Sequence, residues 1–170
     1  GWNQVGFNDS HWRPVVVQEA PKGVLRPQMA PPVKIMERYD IQKVTKLNSE
    51  QVIAAYKSTK RTVDPSAIVL DMGQNLAGFP KITVRGKRGQ KVTLIVAEAL
   101  TDEGACNQRQ TGRQHYYEYT LKGEGDEIWH PRFSYYGFRY IQVEGAVLKG
   151  QKNPQKLPVL KNIQSCFIYN

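Results

Sequence analysis

Metal donors are scarce in this chain, which has only two cysteines and three histidines. Cys106 and Cys166 lie far apart, and neither belongs to a CxxC or CxxH spacing, so no zinc pattern is present. In an oxidising compartment the two can pair if the fold brings them close, but sequence does not set that distance. His11, His115 and His130 fall in three separate segments without ligand spacing. Each reads as a surface or hydrogen-bonded histidine, and no metal ligand is assigned. No apolar run approaches the ~20 residues of a helical membrane span. The opening GWNQVGFNDS lacks the layout of a signal peptide, and a start on Gly1 rather than Met reads as a piece of a longer protein. Gly-x-Ser-x-Gly, Walker and dinucleotide fingerprints are absent, as are repeats and heptads. Gly86 and Gly89 join two strand-like runs, whereas a phosphate cradle leads into a helix.

Acidic residues are also few. Fifteen stand against 24 basic ones, a net charge of +9. Such a balance can serve nucleic acid, an anionic membrane surface or an acidic polymer. The cations are scattered, however. The one looser cluster, Lys149, Lys152, Lys156 and Lys161, shares its stretch with Pro154 and Pro158 and reads as a solvated loop.

What is present is enough for a folded domain. The 170 residues are 40% hydrophobic and 23% charged, outside the disordered range. A chain of this length buries roughly 70% of its unfolded surface. The pattern is β almost throughout. Arg13–Val17 is a short β-branched run, followed by a proline-broken stretch from Pro21 to Pro32. Val33–Leu47 reads as one long or two short strands. Ala67–Asp71 is another, with Ile68 and Leu70 opposite Val69. Lys81–Arg85 places Ile82 and Val84 on one face, and Lys91–Ala97 places Val92, Leu94 and Val96 inward. With Gly86-Lys-Arg-Gly89 as the turn, these two runs are expected to pair as a hairpin. Further strands are expected at 115–121, 127–130, 138–143 and 163–169. In 138–143, Phe138, Tyr140 and Gln142 should face one way and Arg139, Ile141 and Val143 the other. Ser49–Lys57 is the one helix candidate, and its alternation also suits a strand. Short strands with Gly- and Pro-rich turns indicate an all-β fold, an antiparallel two-sheet β-sandwich of jelly-roll or concanavalin-like type with little helix.

Two features bear on chemistry. Glu98 follows a buried strand and precedes the Thr101–Gly104 turn, as a general acid can. Glycoside hydrolysis needs a second carboxylate, which nothing in the sequence identifies, so a structural role is favoured. The block Trp129–Tyr140 is dense in Trp, Phe, Tyr and Arg. Such rings stack on pyranoses, or on bases in a basic single-strand nucleic-acid binder. They also fill sandwich cores. In that case Trp129, Phe133, Phe138 and Tyr140 are core and the arginines pair with carboxylates. If the chain touches sugar, the candidates are Trp129, Arg132, Tyr135, Tyr136 and Arg139, with Gln74 and Asn75 as hydroxyl partners.

Three stretches resemble bacterial α-L-rhamnosidases. They are Asp71-Met-Gly-Gln-Asn-Leu-Ala-Gly-Phe79, Ala97-Glu-Ala-Leu-Thr-Asp-Glu-Gly104 and Pro131-Arg-Phe-Ser-Tyr-Tyr-Gly-Phe-Arg-Tyr-Ile-Gln-Val-Glu-Gly145. They follow the family's order and, with Tyr119–Gly123, cover about Ile68 to Gly145. The region is similar to the family's concanavalin-like β-sandwich module. Trp2–Trp12 is similar to the tail of a preceding carbohydrate-binding module, and Ala30–Val33 to the joint. The resemblance implies residues 1–32 as tail and joint, 33–148 as sandwich, and 149–170 as a basic loop and strand leading toward a catalytic domain. It implies a multidomain inverting hydrolase that removes terminal α-L-rhamnosyl groups, periplasmic or secreted, with rhamnose-containing glycans as partners. In the family the acid and base lie in a downstream (α/α)-barrel, so no catalytic residue carries over onto this chain, Glu98 included. No metal, calcium or other cofactor, nucleic-acid partner or membrane span is expected. The module is then a scaffold or a weak carbohydrate binder.

Overall fold

The computed structural model describes residues 2–48, 50, 67–109 and 114–170. Apart from residue 50, the helix candidate Ser49–Lys57 lies outside them. Two compact units divide the chain, residues 1–31 and 32–170.

The first unit has turns and extended backbone but no strand among its described residues. Asn8 Oδ1 accepts from Ser10 N, and the rings of Phe7 and Trp12 meet at 5.5 Å. The β-branched run Arg13–Val17 forms no strand. Val15, Val16 and Val17 are exposed, and β-branched residues stabilise a strand only against a paired, packed neighbour.

The second unit is an all-β sandwich. Its nine strands among the described residues are β1 (Lys34–Tyr39), β2 (Lys43–Lys46), β3 (Ile68–Arg85), β4 (Lys91–Ala97), β5 (Tyr116–Thr120), β6 (Asp126–Trp129), β7 (Tyr136–Glu144), β8 (Val147–Leu148) and β9 (Val159–Tyr169). All pairings are antiparallel except β8 with β9. The main path runs β1-β9-β3-β7-β4-β5. The 18-residue β3 makes this one curled sheet rather than two separate ones. Its first half pairs with β2 and β7, and its second half with β9 and β6. Between them, Gly78 stands opposite Tyr136 of β7 and Phe167 of β9. A Cβ there would collide with the Cys166 carbonyl oxygen, so the crossing admits only glycine.

Inward residues of both layers form one core. Ile68, Leu70, Met72, Leu76, Ile82 and Val84 come from β3, meeting Val92, Leu94 and Val96 of β4, Phe138 of β7 and Ile163 of β9. A smaller cluster lies on the other face of the first layer. There the segment after β4 folds back, placing Ala105 and Cys106 with Val69, Ile95 and Ala97. Cys106 N donates to Gln142 Oε1 at 3.1 Å, and Gln142 Nε2 donates to Glu144 Oε1 at 2.8 Å. Both cysteines are buried and unpaired.

Two expectations for the sandwich are corrected. Lys81–Arg85 and Lys91–Ala97 do not pair: the first bonds β9 and β6, the second β5 and β7. Their apolar faces meet across the core instead. The turn is an arch between layers, fixed by Gln90, whose Oε1 accepts from Lys87 N and whose Nε2 donates to Lys156 O. In β7, Phe138 shares the main core with Ile141 and Val143, while Tyr140 packs on the smaller cluster. Parity therefore slips at Arg139–Tyr140. Four β3 residues, Met72–Asn75, oppose only Arg139 there, a bulge that shifts the register. Residues 159–169 form β9. β9 is an inner strand between β1 and β3.

Candidate functional site

The residues proposed for sugar contact separate into three places. The first is an aromatic row beside the core. Trp129 is half-buried, stacked on Tyr119 at 5.2 Å and edge-on to Tyr117 at 6.4 Å. Tyr136 stacks on His115 at 4.1 Å and leans on Tyr117. Tyr119 Oη donates to Glu127 Oε2 at 2.6 Å, and Glu127 also accepts from Lys122 N and Gly123 N. Burial and then this hydrogen bond push the Tyr119 phenol up to about 12. Burial raises the Glu127 carboxyl, but the bonds from Tyr119 and the backbone outweigh it, and the group stays ionised below its ordinary range. These rings fasten β5, β6 and β7 together.

The second place is the β3 bulge, where the three quoted motifs meet. Asp71 accepts two bonds from Arg139, Nε to Oδ1 and Nη2 to Oδ2, each 2.9 Å. The guanidinium also lies 5.2 Å from the centre of the Tyr140 ring. Asp71 Oδ1 takes a third bond from Gly73 N at 2.8 Å, and Gly73 has φ +82, left-handed backbone that suits glycine. Arg139 is the main reason the Asp71 carboxyl titrates below its usual range. Asn75 Nδ2 donates to Glu98 Oε1 at 3.2 Å. A Cβ on Gly137 would sit 2.9 Å from that same oxygen, so Gly137 makes room for Glu98. Gln74 is exposed, and its Nε2 donates to the Asn75 carbonyl at 2.9 Å. Asp71 thus pairs with Arg139, and Asn75 with Glu98; the partner of Glu98 is an amide rather than an arginine.

The third place is a groove at the end of the sandwich. Its walls are Val33, Lys34 and Ile35 of the β1 end, Phe79 of β3, Ile168 of β9 and the loop Arg132–Tyr135. Its volume is about 380 Å³. Phe79 stacks on His130 at 5.2 Å, which holds the loop's root. Phe133 is 99% exposed and Tyr135 61%. Phe133 is therefore not core, contrary to the packing alternative. It belongs to the loop between β6 and β7, where no strand neighbour covers it. Of the proposed residues only Arg132 and Tyr135 line the groove. Lys34, Phe79 and Phe133 join them, and no periodic signal marked those three as a set, because three different segments supply them.

Among the described residues no three His, Cys, Asp or Glu side chains gather as a metal set. A profile of the bacterial α-L-rhamnosidase concanavalin-like domain matches residues 61–169. The chain belongs to this family. A profile of the α-L-rhamnosidase N-terminal domain matches residues 1–37. An α-L-rhamnosidase of Streptomyces avermitilis is 33% identical over 150 residues, which are 85% of this chain and 13% of that protein. One of Formosa agariphila is 30% identical over 154 residues, 87% of this chain and 14% of the relative. The α-L-rhamnosidase structure from Dictyoglumus thermophilum superposes with a TM-score of 0.73 at 29% identity, over all of this chain and 17% of its own. The native enzyme from Aspergillus terreus gives 0.70 at 27%, with the same coverage. This concanavalin-like domain is thus a small part of the α-L-rhamnosidases it matches.

Proposed function

We propose that the chain is a non-catalytic accessory module of an α-L-rhamnosidase that acts in the periplasm or outside the cell. Residues 1–32 are the end of an N-terminal module and its joint, and the sandwich is mainly a scaffold with a weak carbohydrate contact at its groove. The observation that carries this is the domain match over residues 61–169 together with the small share of each relative that the chain spans. Two features of the molecule support it. The sandwich is filled by its own side chains, and two motif carboxylates, Asp71 and Glu98, are held by Arg139 and Asn75. Carboxylates that cleave a glycoside must face the bond from two sides, about 5–10 Å apart, with one free to protonate the leaving oxygen. Glu98 and Asp71 instead anchor a bulge. The test is hydrolysis of an aryl α-L-rhamnoside by the purified chain. No turnover above the buffer rate is expected. Turnover that disappears in Glu98→Gln would overturn the accessory reading.

A further inference from the structure

We propose that the groove bounded by Ile35, Phe79, Arg132, Phe133, Tyr135 and Ile168 binds a rhamnosyl unit joined to an anionic sugar, one carrying a carboxylate or a sulfate. This rests on the reading of the chain as part of an α-L-rhamnosidase. The size fits first: about 380 Å³ lies at the lower end of the range for small-ligand sites, roughly 300–1,000 Å³. The lining fits next. Rhamnose is a 6-deoxy sugar with a methyl group where most hexoses carry a hydroxymethyl. A floor of Ile35, Ile168 and Phe79 suits that methyl better than it suits a fully hydroxylated ring. Phe133 and Tyr135 are exposed rings at the rim, where a pyranose can lay its C–H face.

Charge sets the class of ligand. Lys34 and Arg132 both line the groove, and none of its described lining residues is acidic. Arg38 continues the same side, opposite Cys166, which itself stands opposite Phe79. Glu37, the one carboxylate of β1, is engaged by the phenols of Tyr39 at 2.7 Å and Tyr169 at 3.0 Å. A neutral sugar leaves this excess of cations unanswered. A carboxylate or sulfate next to the rhamnosyl unit accepts the planar donors of Arg132.

The experiment is NMR titration of the 170-residue chain with three probes. They are methyl α-L-rhamnoside, a rhamnose–uronate disaccharide and a rhamnoside sulfate, each at low and high salt. The expected result is that at least one anionic probe shifts Val33, Ile35 and Ile168 methyl signals and binds about tenfold more tightly than the neutral one. That preference should shrink at high salt. The anionic probe that binds identifies the charged group. Arg132→Gln should remove the preference, and Phe133→Ala should weaken all binding, both without loss of fold. Equal binding of neutral and anionic probes overturns the charge assignment. No shift with any probe, or shifts confined to Lys149–Lys161, overturns the site. Neither result touches the accessory reading, which fails only through turnover of a rhamnoside.

Discussion

The bulge and the groove draw on neighbouring stretches of sequence, yet their polar groups meet opposite fates. At the bulge, Asp71 pairs with Arg139 and Glu98 accepts from Asn75, and Gly73 and Gly137 let the backbone and Glu98 come close. At the groove, Arg132 is exposed, and Phe133 and Tyr135 turn their rings to solvent. The bulge lies between paired strands, where β7 must match β3. The groove rim lies in the loop between β6 and β7, where no ladder dictates direction. A signature motif rich in charge and glycine therefore marks a folding joint here, while the exposed rings of Phe133 and Tyr135 lie in the loop part of the same motif.

Substitutions can break that contrast. Phe138→Ala should have the largest effect, about 3–5 kcal/mol, since the ring is fully buried between the layers. Urea unfolding measures it, and a loss under 1 kcal/mol would mean the core closes without the ring. Gly78→Ala should cost up to about 3 kcal/mol, because backbone, not a flexible side chain, occupies the Cβ position. Its melting curve against wild type is the check. Phe133→Ala should change stability by less than about 0.5 kcal/mol, as expected for an exposed loop residue. A large loss there would place Phe133 in the core after all.

Much of the sandwich can be read from its sequence. Ile82, Val84, Val92, Leu94 and Val96 all face the core, as their alternation requires. Val69 turns away from Ile68 and Leu70 as expected. Alternation specifies a face, though, and not a partner. Hence Lys81–Arg85 and Lys91–Ala97 looked like a hairpin although they lie across the core from each other. The slip at Arg139–Tyr140 was hidden because a bulge depends on the partner strand: nothing in 138–143 itself indicates that Met72–Asn75 will loop out opposite it. Composition likewise found the aromatic block but could not divide it. Trp129 and Tyr136 are held by other rings, whereas Tyr135 is left at the rim. Arg13–Val17 has strand composition, and composition alone supplies no neighbour to pair with.

The Asp71–Arg139 pair ties the bulge of β3 to β7. Because Arg139 depresses the Asp71 carboxyl, the pair stabilises the fold above the ordinary carboxylate range, about pH 4, and that contribution is lost as pH falls through the lower native value. The measurement is unfolding free energy of wild type and Arg139→Gln from pH 7 down to about pH 2. The variant should be less stable at pH 7, and the gap should narrow steadily in acid as Asp71 takes its proton. A gap that is absent at pH 7, or that stays constant to pH 2, would contradict the claim that this motif holds the fold.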